Sequence, residues 1–197
     1  MNFLDFLRRM FPMAQPPAEP EPAKSKPAGT PSSPTATPPV RFYPQSNRKT
    51  PNVSAGRVIK PTHIVLHHSS GAYAGSVSWC LDPVSKVSYH CIIARNGKRT
   101  VLATPSQRTW HAGVSSWQGR KDANSWSIGL AWEGDTHSDP LGAAAIASAV
   151  EYLLPILEDY HIPLSNIIRH ADVAPGRKDD CSLQAQAALI SALNRVL

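Results

Sequence analysis

His63-Ile-Val-Leu-His-His-Ser69 decides the fold: an apolar run of strand type that ends in two histidines. Tyr89-His-Cys-Ile-Ile-Ala-Arg95 is a second such run, and Ser127-Ile-Gly-Leu-Ala-Trp132 a third. Asn96-Gly97 follows the second run at once, a strong tight-turn signal, and Arg99-Thr-Val-Leu102 returns as its partner strand. Between the first two runs, Gly75 to Leu81 suits a short helix. From Leu141 to Tyr160, Ile146, Val150, Leu153, Leu154 and Leu157 recur at helical spacing. Pro155 lies inside that stretch, which predicts a kink or break. Ile167 to His170 reads as a final strand and Leu183 to Val196 as a closing helix. Strands and helices mix without strict alternation, so the expected fold class is α/β, a central mixed β-sheet flanked by helices.

Outside this region the character of the chain changes. Of its 197 residues, Pro12 to about Val53 are dense in Pro, Ala, Ser and Thr and nearly free of large apolar side chains. Such a segment buries too little surface to offset its ordering entropy. The expected organisation is a short amphipathic segment at 1–13, a Pro-rich disordered linker at 14–54 and a globular domain at 55–197. In the first segment Phe3, Leu4, Leu7, Met10 and Phe11 form one helical stripe, with Asn2, Asp5, Arg8 and Arg9 away from it. Eleven residues are too few to span a bilayer. The stripe suits contact with a membrane surface or a protein; accidental periodicity at a frayed start explains it as well.

The formal charge of +6 favours anionic partners or simply solubility. Arg41, Arg48, Lys49, Arg57 and Lys60 do not interleave with aromatics as a nucleic-acid groove would, so nucleic acid is set aside as a partner. Three cysteines, Cys80, Cys91 and Cys181, cannot all pair within one chain, which excludes a disulfide framework. That usage, with no cleavable signal peptide of ordinary form, points to synthesis in the cytoplasm.

The polar residues suit a metal. Side chains alternate across a strand, so His67 and His68 cannot easily face one ion together, and at most one is a ligand. His170 ends another strand, and the loop after it runs Ala171-Asp-Val-Ala-Pro-Gly-Arg-Lys-Asp-Asp-Cys181, with carboxylates and a thiol near its end. Two imidazoles and one anionic ligand, with a fourth position open for water, are a common catalytic zinc set. Spacing alone is weak support, because lone histidines at strand ends are more often structural.

Four blocks, taken in order, make the chain resemble a known family. They are Ile64-Val-Leu-His-His68; Ser88-Tyr-His-Cys-Ile-Ile93 through Asn96-Gly97; Trp110-His-Ala-Gly-Val-Ser-Ser-Trp117 with Ser127-Ile-Gly129; and His170-Ala-Asp-Val-Ala-Pro-Gly-Arg-Lys178. Over about residues 63–197 the chain is similar to the zinc-dependent N-acetylmuramoyl-L-alanine amidases, which include phage amidases, anhydro-muropeptide amidases and peptidoglycan recognition proteins. The resemblance implies a mixed sheet with helices around it and one zinc ion at the floor of a groove. It also implies peptidoglycan as partner and cleavage between N-acetylmuramic acid and L-alanine of the stem peptide.

Carried over residue by residue, the resemblance implies His67, His170 and Asp180 as metal ligands. The third ligand falls ten positions after the second in members with this loop, which is Asp180; Cys181 is the runner-up, one step later. Lys178 matches the family's lysine and would stabilise the oxyanion. Anhydro-muropeptide amidases carry a glutamate two residues after Ile-Gly. Phage and recognition-protein amidases instead carry a tyrosine before the histidine of the second block. This chain has Tyr89 and Ala131, which implies a catalytic Tyr89, with Glu133 a weaker acid–base candidate. His111 and, of the two flanking tryptophans, Trp110 are expected to contact substrate, although for Trp110 and Trp117 alike core packing is an equal alternative to stacking on a sugar. His90 is expected to be structural, and His137 and His161 to be surface residues.

Two other readings compete. A recognition module that binds peptidoglycan without cutting it usually lacks the third ligand, so Asp180, Lys178 and Tyr89 argue for the enzyme. A regulatory role would rest on the segment before residue 54. A monomer that acts on the cell wall, as a phage endolysin or a bacterial wall-remodelling enzyme, completes the expectation.

Overall fold

The computed structural model describes residues 42–197. The amphipathic segment expected at 1–13, and the linker up to residue 41, lie outside the described residues.

The strands are β1 (Gln45–Asn47), β2 (Val53–Val58), β3 (His63–His68), β4 (Cys91–Ile93), β5 (Arg99–Val101), β6 (Gln107–Thr109), β7 (Ser116–Trp117), β8 (Arg120–Lys121), β9 (Ser127–Trp132) and β10 (Ile167–Arg169). The α-helices are α1 (Tyr73–Leu81), α2 (Ala143–Asp159), α3 (His170–Val173) and α4 (Leu183–Asn194). Six strands form one sheet in the order β1-β5-β4-β9-β3-β10. β3 runs parallel to both β9 and β10, whereas β4 and β5 are antiparallel. The sheet is mixed, as expected, and helices flank it.

Strand alternation sorts the sheet into two faces. Ile64 and Leu66 of β3 and Ile128, Leu130 and Trp132 of β9 pack with Ala149, Val150 and Leu153 of α2 and Leu189 and Leu193 of α4. Val65 faces the other way, into a smaller cluster with Ala112, Trp126, Ile168 and Val173. His67 follows Val65 by two residues and shares its face, so the face away from α2 and α4 is free to carry polar chemistry.

The β4–β5 hairpin turns at Asn96-Gly97. Gly97 sits at φ 85°, and a Cβ there would meet the Tyr43 ring at 2.2 Å, so this position needs glycine on both counts.

Two expectations need correction. The ordered chain reaches back into 42–54, which the sequence assigns to the linker. Polar contacts, not apolar burial, hold that segment. β1 pairs with β5, Arg99 bridges Gln45 and Glu151 at 2.7 and 2.8 Å, and the buried Asn52 amide donates to the carbonyls of Asp82 and Val87. Pro155 does not break α2, which runs through it. Pro155 is exposed, so the carbonyl left without its partner on that side can reach water, while Leu153, Ile156 and Leu157 hold the helix to the core.

Candidate metal centre

β3 and β10 are parallel neighbours, and their C-terminal ends deliver His67 and His170 to one place. His170 opens α3, where the Asp172 carboxylate accepts the Arg169 backbone N–H at 2.8 Å and fixes the first turn. The loop after α3 folds back so that the Ala171 N–H donates to the Asp180 carbonyl at 2.6 Å, setting Asp180 beside His170. The next residue but one is pinned from the far side, because the Ser182 N–H donates to Thr136 Oγ1 at 2.9 Å. His68 points away from His67, and its Nδ1 accepts the Thr136 N–H at 3.3 Å. The two adjacent histidines are thus divided by the strand, one to the cluster and one to the loop that supports it.

The three expected ligands meet. His67 Nδ1 lies 3.0 Å from His170 Nδ1, and Asp180 Oδ2 lies 3.1 Å from each of those nitrogens. All three residues are buried. Ligand atoms around a tetrahedral zinc bonded at about 2.0–2.1 Å stand roughly 3.3 Å apart, close to this triangle.

Hydrogen bonds behind the triangle set the histidine tautomers. His170 Nε2–H donates to the Ala112 carbonyl at 3.1 Å, which leaves Nδ1 of the neutral ring bare. The Ser127 hydroxyl donates to the Ala123 carbonyl at 2.6 Å and can accept His111 Nε2–H at 3.4 Å. His111 Nδ1 is then free to accept His67 Nε2–H at 3.1 Å, and His67 Nδ1 is bare in turn. Two bare nitrogens and a carboxylate oxygen at this spacing repel one another unless a cation joins them. The donor set therefore fits a divalent metal, with the outer partners that orient ligating histidines already in place.

The electrostatics of burial agree with a neutral His67 ring. Burial, with His170 second, pushes His67 down to about 4. Burial alone would raise the Asp180 carboxyl, but the two imidazoles against it outweigh that and hold it below the usual carboxylate range. Burial, helped by the nearby Asp180 charge, raises the Tyr89 phenol well above its ordinary value, so it is protonated at neutral pH.

Of the other predicted residues, Tyr89 has its ring 5.0 Å from the His67 ring, and it lines a pocket of about 440 Å3 together with Lys178. Trp110 lines a groove of about 980 Å3 with Arg108, Lys121 and Arg177. Its indole N–H donates to Ser54 Oγ at 3.0 Å. Trp117 is half-buried against the Val65 cluster. His90 is fully buried and satisfied, accepting the Gly129 N–H and bonding the Gln107 carbonyl. His137 and His161 are exposed.

Three expectations are corrected. His111 is not at the surface of a groove; it is 5% exposed and stands behind His67, packed on Gly129. Glu133 is turned from the cluster, its two oxygens accepting the backbone N–H groups of Tyr73 and Arg95, both at 2.9 Å. The thiol of Cys181 belongs to the apolar core with Leu189 and Leu193, and Asp180, not Cys181, completes the cluster.

Sequence reasoning missed Thr136, Ser127 and the role of Arg177. Arg177 donates to the Ala112 and Val114 carbonyls at 2.6 and 2.7 Å, clamping the His111 loop on the same carbonyl that His170 uses. Ser127 and Arg177 stand inside the quoted blocks, but the bonds that give them and Thr136 a role reach mainly to residues distant in the chain.

Comparison with known proteins gives a consistent answer. Residues 57–182 match the family model described as N-acetylmuramoyl-L-alanine amidase. The chain is 40% identical over 96 residues to the 1,6-anhydro-N-acetylmuramyl-L-alanine amidase AmpD of Haemophilus influenzae, covering 48% of this chain and 52% of that protein. It is 31% identical over 132 residues to the N-acetylmuramoyl-L-alanine amidase AmiD of Escherichia coli, covering 59% of this chain and 47% of that one. The chain thus spans about half the length of these two relatives. AmpD of Escherichia coli is 36% identical over 143 residues, covering 61% of this chain and 75% of the relative. Among solved structures, a selenomethionine derivative of AmpD superposes with a TM-score of 0.63 at 23% identity, covering 77% of this chain and 94% of the other. A mutant endolysin from Bacillus subtilis superposes at 0.60 with 18% identity, covering 77% and 99%; these two show the fold alone.

Proposed function

The chain belongs to the N-acetylmuramoyl-L-alanine amidase family, and on that premise we propose that it hydrolyses the amide between N-acetylmuramic acid and L-alanine of peptidoglycan with one zinc ion. The observation that carries the reading is the buried His67–His170–Asp180 triangle, with two bare imidazole nitrogens held by second hydrogen bonds. A zinc ion there would act as a Lewis acid toward the scissile carbonyl and lower the pKa of water toward neutrality.

The chain's own residues divide the remaining work. Asp180, with the two imidazoles, would hold the ion and offset its charge. Lys178, exposed at the mouth of the 440 Å3 pocket, donates to the oxyanion that forms as the carbonyl carbon becomes tetrahedral. Tyr89 acts as a hydrogen-bond donor through its phenol, which burial raises above its ordinary value. It orients the attacking water or the carbonyl. Ala131 lies opposite His67 in β9 and brings no carboxylate there, while Tyr89, its ring 5.0 Å from that of His67, lines the pocket with Lys178. Trp110 and Arg177 line the groove on the His170 side, where a stem peptide with its carboxylates finds Arg177 and Lys121. Phage lysis and bacterial wall remodelling share this chemistry. Turnover of polymeric wall against soluble anhydro-muropeptide separates the two settings.

Digestion of purified peptidoglycan tests the reading. The expected result is newly freed alanine amino groups without new reducing sugar ends. Tight binding of the wall with neither kind of new end would replace the enzyme with a recognition module.

A further inference from the structure

Helix α1 buries Val77 and Cys80 against Ile92, Leu102 and Ala131 of the sheet side. Three-residue spacing puts Ser76 and Trp79 on a neighbouring stripe of the same helix, and both line the 440 Å3 pocket with Ser69, Gly75, Tyr89 and Lys178. Trp79 is 56% exposed, which leaves a broad aromatic face with a polar edge open at the pocket. The pocket is linked to the ligand cluster through its wall residue Tyr89, whose ring is 5.0 Å from that of His67. The wider groove lies on the other side, where Arg177 shares the Ala112 carbonyl with His170. Neighbours of the ligand triangle, Tyr89 on one side and Arg177 on the other, thus line two openings of different character. The groove carries Arg108, Lys121 and Arg177 against one carboxylate, Asp122. The pocket carries one charge, Lys178, with an aromatic face and the hydrogen-bonded hydroxyls of Ser69 and Ser76.

The substrate of the amidase reading has two equally unlike ends. Its peptide bears carboxylates; its sugar is rich in hydroxyls and amides around an apolar ring face. Resting on that reading, we propose that the α1 pocket is the glycan subsite and that Trp79 is its platform, stacked on the apolar face of an N-acetylated sugar next to the scissile amide. Ser69 lies within reach of the sugar's hydrogen-bonding groups at the pocket wall. Through Trp79 the enzyme discriminates for substrate with its glycan attached.

Calorimetric titration of the full chain with two probes tests this: the disaccharide of N-acetylglucosamine and N-acetylmuramic acid, and the free stem tetrapeptide. Neither probe contains the scissile bond, so binding is read without turnover. Trp79→Ala removes an exposed side chain and leaves the Val77–Cys80 core contacts intact. It is expected to weaken the disaccharide about tenfold and leave the tetrapeptide within about twofold, with Trp79→Phe keeping most of the disaccharide affinity. Unchanged disaccharide binding, an equal loss for both probes, or no disaccharide binding by the unaltered chain overturns the proposal. Disaccharide binding that depends on Trp79, in a protein that frees no alanine amines, would sink the amidase reading and leave the glycan site standing.

Discussion

Replacing Gly129 with alanine tests how the ligand cluster is built. Gly129 lies in β9, directly against His111, and a Cβ there would stand 2.5 Å from His111 Cγ, 2.8 Å from its Cβ and 2.9 Å from its Nδ1. Close carbon contacts run at about 3.4 Å and beyond, so the imidazole must retreat about 0.9 Å (3.4 − 2.5) from the contact at its Cγ. His111 is 5% exposed and fixed by Ser127 and His67, so that retreat strains the core and lengthens the 3.1 Å bond to His67 Nε2. Overpacking costs about 1–3 kcal/mol, equivalent to a fall in Tm of roughly 3–10 °C for a domain of this size. Loss of the bond that orients a ligating histidine weakens metal affinity about 10–100-fold. Chelator competition for zinc, read beside thermal unfolding of the metal-free protein, measures both. A Gly129→Ala protein with native zinc affinity would refute the claim that His111 orients His67, whatever its stability.

Three further predictions follow from the same geometry. Asp180→Ala should abolish stoichiometric zinc binding, whereas Cys181→Ala should keep one zinc and lose about 1 kcal/mol of stability from the core; elemental analysis with urea unfolding separates them. Tyr89→Phe should bind zinc normally and lower kcat by roughly 10–100-fold with little change in KM, and near-normal turnover would remove Tyr89 from the chemistry. His90 is neutral in the fold, pushed down to about 4 by burial, against an ordinary value near 6.5. Its depressed pKa means that stability is full above about pH 6.5 and is lost as pH falls through about 4, because the unfolded chain takes up the proton first. Between pH 7.5 and 5 that amounts to about 2 kcal/mol, and His90→Asn should flatten the pH dependence of the unfolding free energy from urea titration by about that much.

Local patterns sufficed where the determinant is local. The run His63–His68, its alternation that divides His67 from His68, and the Asn96-Gly97 turn all carry their own signal. Asp180 was found through the order of a motif, and its carboxylate does meet the two histidines. Failures came where a distant partner decides. Gln45–Asn47 looks like linker because nothing in it is apolar, yet Arg99 and the β5 edge supply its bonds. Glu133 sits at a plausible catalytic spacing, but the backbone N–H groups of Tyr73 and Arg95 claim both its oxygens. His111 carries a groove motif but turns inward, because Gly129 leaves room for its ring against β9.

Metal content and metal dependence measured on one preparation test the central claim most directly. The account predicts one zinc per chain, loss of alanine-amine release when the zinc is chelated, and recovery on adding zinc back. Full amine release by protein stripped of metal would contradict it, leaving the His67–His170–Asp180 triangle without the role assigned to it here.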